Sequence, residues 1–210
     1  MKTLFAILAL FSIAPVIVTA STVTLSSTST GPSVFASNAV NLVPNGSLIR
    51  VGTFLGGIET LANWRDFGVS TVKSAGIGAS AKPSKVTGTV TNTGGDVDDA
   101  QFNGLAVYVW IYNSTTINPL AEQGIFKSTF LFPVNDFSST ADSVTPTATS
   151  FTTAIGLEGL FTAGQYIANA DNGTGNLTGG KFVLGAPIPE TSTSMFLASV
   201  LGLMTLRRRR

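Results

Sequence analysis

The stretch GLAVYVWIYN, residues 104–113, constrains the fold of this chain more than any other. Successive side chains of a strand point to opposite faces. Val107, Val109 and Ile111 therefore share one face, and Tyr108, Trp110 and Tyr112 share the other. Both faces are bulky and apolar, so this strand is expected to be covered on both sides and to lie centrally in a sheet. SLIRVGTFL (47–55) and KVTGTVTNTG (85–94) read as further strands, followed by GIFKSTFLFP (124–133), SFTTAIG, GQYIANA and GKFVLG. Short β-branched runs between Gly, Asn, Pro and Asp point to an all-β domain, a β-sandwich or jelly-roll-like body over residues 21–186. The one helical expectation is GIETLANWRDFG (57–68), two turns with Ile58, Leu61 and Trp64 on one face.

Two stretches are rich in Ser and Thr, STVTLSSTSTGPS (21–33) and SSTADSVTPTATSFTT (138–153). They read either as extended or O-glycosylated loops or as edge strands, since Thr suits a pleated surface. There is no internal repeat of fixed period. A domain of this length buries a core without disulfide staples. The chain has no cysteine and no histidine. A Cys/His zinc site and a histidine-based triad are thereby excluded, and folding does not depend on oxidation. Between residues 21 and 189 seven basic side chains face ten acidic ones, a net charge of −3. Such a domain lacks the basic stripe that nucleic-acid phosphates require, so no nucleic-acid partner is expected.

Carboxylates are densest in GGDVDDAQFNG, residues 94–104. Asp96, Asp98, Asp99 and Asn103 are the side chains that would ligate calcium there. Their spacing departs from the EF-hand loop, and the same residues suit a solvated turn between strands. No metal or other cofactor is expected. Asp98 and Asp99 would point to opposite faces of a strand, which suits neither pairing across a glycoside nor any marked catalytic pair. No enzyme is expected. Trp64, Tyr108, Trp110 and Tyr112 would make a sugar-stacking platform if exposed and a core if buried. Asn45, Asn113, Asn172 and Asn176 each open an Asn-x-Ser/Thr sequence, expected to be chance matches.

At the N-terminus Lys2 precedes an apolar run from Leu4 to Val18, and Val18, Thr19 and Ala20 suit signal peptidase. Residues 1–20 read as a secretory signal, cleaved between Ala20 and Ser21. The other end, PIPETSTSMFLASVLGLMTLRRRR (187–210), is uncharged from Thr191 to Leu206 and closes on Arg207, Arg208, Arg209 and Arg210. Sixteen helical residues span roughly 24 Å, short of the roughly 30 Å hydrocarbon core. Terminal arginines stay on the cytoplasmic side.

The order Pro-Glu, short apolar helix and Arg-rich end resembles the PEP-CTERM sorting signal. Pro189 and Glu190 match its first two positions, Thr191 replaces its second proline, and Ser192 and Thr193 resemble the Ser-Thr that follows it. The resemblance covers residues 187–210 alone. It implies processing by exosortase in a Gram-negative bacterium that makes exopolysaccharide, with a transient inner-membrane intermediate before release to the cell surface or outside. A sortase signal is the runner-up, because IPETS approaches LPxTG, and an uncleaved single-pass anchor is the third reading. The resulting expectation is an exported, surface-sorted structural or adhesive protein of the envelope or extracellular matrix. The alternative is a carbohydrate-binding module acting on exopolysaccharide.

Overall fold

A computed structural model describes residues 21–76, 81–92, 100–134, 143–176 and 178–188. Among them the fold is mostly β. There are thirteen strands: β1 (Thr22–Leu25), β2 (Ser33–Phe35), β3 (Leu48–Phe54), β4 (Trp64–Thr71), β5 (Lys73–Ala75), β6 (Lys82–Lys85), β7 (Gly88–Thr91), β8 (Ala106–Tyr112), β9 (Gln123–Leu131), β10 (Ser143–Val144), β11 (Phe151–Ile155), β12 (Gln165–Ile167) and β13 (Lys181–Val183). Helical geometry is confined to short 3-10 turns such as Leu55–Gly57, Leu61–Asn63 and Ala148–Ser150.

The main sheet has the order β11-β9-β8-β3-β4, so β8 is its middle strand, as its two apolar faces require. All four pairings in it are antiparallel. One face, carrying Ile49, Val51, Val107, Val109, Ile111 and Phe126, packs on Val23 and Leu25 of β1, Val34 of β2, Val90 of β7 and Phe182 of β13. Those strands form two three-stranded sheets, β10-β1-β7 and β12-β13-β2, and a β5-β6 pair completes the set. The opposite face carries Phe54, Trp64, Tyr108, Trp110, Tyr112 and Ile125, with Leu157 and Phe161 from the loop after β11 packed on it.

The expected strands over 47–55, 104–113 and 124–133 form as β3, β8 and β9. Three expectations are corrected. The two-turn helix over 57–68 is absent. Gly56 and Gly57 sit at φ 67° and 70°, which breaks any helical run before it starts, and β4 begins at Trp64. Ile58 and Leu61 stay exposed while Trp64 is buried, so no shared apolar face exists. KVTGTVTNTG does not make one strand. Lys85 closes β6 and β7 opens at Gly88, whose φ of 128° turns the chain between them. Within STVTLSSTSTGPS, residues 22–25 are neither loop nor edge, because β1 is the middle of its three-stranded sheet. In the second Ser/Thr-rich stretch β10 and β11 do lie at sheet edges.

Two substitutions probe this packing. Phe126→Ala empties a fully buried site in the core under the main sheet and should cost about 3–5 kcal/mol. Val40→Ala, on an exposed turn, should stay within about 0.5 kcal/mol. Urea unfolding followed by circular dichroism measures both; equal effects would contradict the core assignment.

Candidate functional site

Strand register builds one polar cluster into the loop-covered face. Arg50 stands opposite Trp110 across β3 and β8, and Trp110 stands opposite Ile125 across β8 and β9. Trp64 and Asp66 reach the same layer through a bulge in β4. Val51 pairs with Gly68 and Gly52 with Asp66, so Phe67 is the extra residue. Gly68 faces Val90 in the first core, and Phe67 is buried in that core as well. Counting by twos from Gly68 would turn Asp66 and Trp64 the same way; the inserted residue returns them to the other face. Gly52 leaves the room they need, because a Cβ there would strike the Arg65 carbonyl and come within 2.8 Å of the Trp64 ring.

The Arg50 guanidinium lies 4.9 Å from the Trp110 ring centroid and 5.4 Å from that of Trp64. Its Nε donates to Asp66 Oδ1 at 2.7 Å and its Nη2 to Oδ2 at 2.5 Å. Nη1 donates to the Tyr112 hydroxyl at 3.2 Å. Trp64 Nε1 donates to Asp66 Oδ1 at 2.8 Å, and Trp110 Nε1 to Gln123 Oε1 at 3.0 Å. The two indoles meet edge to face at 5.2 Å, and Tyr112 stacks on Trp110 at 5.4 Å. This fork-to-fork ion pair, with each ring nitrogen also partnered, is a satisfied network in a half-dry layer.

Titration follows the geometry. Desolvation, the largest influence, pulls the Arg50 guanidinium down, yet Asp66 and Tyr112 together hold it above the ordinary arginine value. Burial pushes the Tyr108 hydroxyl well above its ordinary value, helped by the nearby charge of Glu59, whose Oε1 accepts its hydrogen bond at 3.2 Å. Burial also raises Tyr112, with Arg50 opposing it.

The structure thus brings Trp64, Tyr108, Trp110 and Tyr112 together, but as interior. None is more than 5% exposed. A small apolar cleft of about 100 Å³ remains, lined by Arg50, Leu61, Trp110, Tyr112, Ile117, Pro119, Gln123 and Leu160. Ligand pockets usually enclose roughly 300–1,000 Å³, so this one is too small to seat a sugar ring over an indole face. Arg50 and Asp66 went unread in the sequence because their meeting depends on the bulge.

Of the other residues singled out, Ala20, Asp96, Asp98, Asp99, Pro189, Glu190, Thr191, Arg207, Arg208, Arg209 and Arg210 lie outside the described residues. Asn103 lies in a turn beside Phe102, whose ring packs on Phe67 and Phe132. Ser21 is buried and its carbonyl accepts the Asn92 N–H at 3.3 Å. Among the described residues no group of three or more Asp, Glu, His or Cys is placed to hold a metal ion. Each of the four Asn-x-Ser/Thr asparagines spends its side-chain N–H within the fold. Asn45 donates to Ser74 Oγ, Asn113 to Glu122 Oε2, Asn172 to the Thr30 and Gly31 carbonyls, and Asn176 to the Thr30 carbonyl. No family model, curated protein or solved structure matches this chain.

Two outcomes are expected. Trp110→Ala should lower stability by about 3–5 kcal/mol, since it removes a buried indole; retention of full stability with loss of a bound glycan would contradict its interior role. Tyr108 and Tyr112 ionise near 10 when unfolded and higher when folded. Above pH ~10 the folded state therefore binds more protons than the unfolded one, and the stability fully present below that pH is lost as pH rises. Ultraviolet titration of the native protein should show tyrosinate from these rings only together with loss of the β-type circular dichroism signal.

Proposed function

We propose that this chain is an exported structural or adhesive protein of the bacterial envelope or extracellular matrix. Signal peptidase removes residues 1–20, and exosortase processes the C-terminal segment. One observation carries the reading. Pro189 and Glu190, the uncharged apolar run from Thr191 to Leu206 and the four arginines from Arg207 to Arg210 follow one another in a single stretch. A sorting signal needs that order, a short motif with enough apolar chain behind it to enter a membrane and a basic end to stop there.

The body itself supports the structural role. Trp64, Tyr108, Trp110 and Tyr112 and the bidentate Arg50–Asp66 ion pair are used in packing. We read the main sheet and the two three-stranded sheets, which share a core, as the layers of a β-sandwich. Among the described residues no helix is long and apolar enough to cross a membrane; the apolar run 191–206 lies outside them. In this proposal that run holds the exported protein in the inner membrane with Arg207, Arg208, Arg209 and Arg210 inside. Exopolysaccharide is the surrounding matrix, not a substrate.

Intact-mass analysis of protein from the native host tests this. The expected species begins at Ser21 and ends near Glu190. Quantitative recovery of C termini bearing Arg210 would mean a permanent anchor instead. Replacing all four arginines with Ser should impair retention and surface delivery, and unchanged delivery would remove them from the address.

A further inference from the structure

Lys85, at the end of β6, is a fully buried lysine at 0% exposure. Its Nζ donates to the Gly31 carbonyl at 2.5 Å. Among the described residues the one ion pair is Arg50 with Asp66, so Lys85 has no carboxylate partner there. One neutral hydrogen bond does not compensate for burying an ammonium ion. The same Gly31 oxygen accepts the side-chain amide of Asn172 at 2.9 Å, and Asn172 is also fully buried. An amine and a carboxamide from distant parts of the chain are thus held against one oxygen.

The carboxamide is set up to be attacked. Its Oδ1 accepts three hydrogen bonds, from Thr174 N at 3.0 Å, Thr174 Oγ1 at 2.6 Å and Asn176 N at 3.3 Å. Donors converging on one carbonyl oxygen stabilise the negative charge that grows there when a nucleophile adds. Gly179 presses on the amide from behind; any Cβ there would strike Asn172 Nδ2 and the Thr30 carbonyl. The amine is set up to attack. A lysine is activated when it is desolvated and placed near another cation. Burial, with Lys82 adding to it, lowers Lys85 to about 8, so a useful fraction is the free amine near neutral pH.

We infer that Lys85 and Asn172 join through an intramolecular isopeptide bond, a modification that staples β6 to the loop between β12 and β13. The step balances without a co-reactant. The Nζ lone pair of the neutral amine adds to Asn172 Cγ, forming the N–C bond. One proton passes from Nζ to Nδ2, the Cγ–Nδ2 bond breaks, and ammonia leaves. Holding both groups on the Gly31 oxygen replaces the encounter that a solution amine and amide must make. The product is an uncharged amide, which ends the cost of the buried cation. In a chain with no cysteine it supplies the covalent cross-link that a disulfide would otherwise give.

Mass spectrometry of the purified full-length chain, denatured after folding, tests the bond. The expected result is a deficit of one ammonia and a branched proteolytic peptide joining Lys85 to Asn172. The deficit should grow on refolding from urea and not in urea. Lys85→Arg and Asn172→Ala should abolish it, whereas Asn172→Asp should form the same bond with loss of one water. Because the refolding measurement uses the unaltered chain, it decides the matter even if a variant fails to fold. Recovery of linear peptides containing unmodified Lys85 and Asn172 in full yield would overturn the inference. So would an ammonia deficit with Lys85 free, which would mark a succinimide at Asn172 and Gly173.

Discussion

Burial of β8 on both faces is the constraint from which the rest of the architecture follows. Each large apolar side chain removed from water contributes about 1.5–3 kcal/mol, and β8 places six such residues in a row on alternating sides. A sheet built around it tolerates solvent on neither side at its centre. The valine and isoleucine side finds its cover in other strands, with Val23, Val34, Val90 and Phe182 filling the gap. The aromatic side has no second sheet to meet. Phe54 and Trp64, at the paired ends of β3 and β4, extend this side, and its cover comes from Leu157 and Phe161 in the loop after β11. A small apolar cleft beside Trp110 and Tyr112 remains on this side.

Arg50 makes the loop-covered side workable. A guanidinium is planar and weakly hydrated, and it stacks on indoles much as another ring would. Set near Trp64 and Trp110, it fills aromatic space while its edge meets Asp66 in two parallel bonds. The Arg50 side chain is 11% exposed and that of Asp66 40%. The pair therefore sits at the edge of the layer, where desolvation is moderate and the Coulomb gain is not fully screened. The consequence for function is direct. Rings that would have offered a binding face to sugars are engaged with each other and with this cation.

How much of this was legible depended on length and alternation. β3, β8 and β9 are long enough for their period to stand out. Strands of two to four residues such as β2, β5 and β10 carry no period, and they exist because neighbouring strands already offer an open edge. The false helix arose because Ile58, Leu61 and Trp64 recur at spacings of three, a pattern that two glycines in left-handed backbone override. The meeting of Arg50 with Asp66 was hidden for a different reason. A single bulge residue, Phe67, reverses which side chains of β4 face inward, and no local sequence rule marks it. The convergence of Lys85 and Asn172 on the Gly31 carbonyl is hidden in the same way, since it joins elements that only the tertiary fold brings together.

The asparagines show how a chain of short strands without cysteine is held in register. Asn172 Oδ1 accepts both the N–H and the hydroxyl of Thr174, two residues on, and Asn176 does the same with Thr178. The spacing Asn-x-Thr is thus what a side-chain-mimicked turn requires, because the oxygen reaches the backbone two residues ahead. The free amide nitrogens then turn to the Thr30 and Gly31 carbonyls, more than a hundred residues away in sequence. Each asparagine fixes its own turn with one atom and a distant loop with another. At Asn172 and Asn176 the Asn-x-Thr spacing is explained by hydrogen-bond geometry. The same geometry immobilises the Asn172 carboxamide beside a buried amine, so the turn that orders the loop also prepares its covalent attachment.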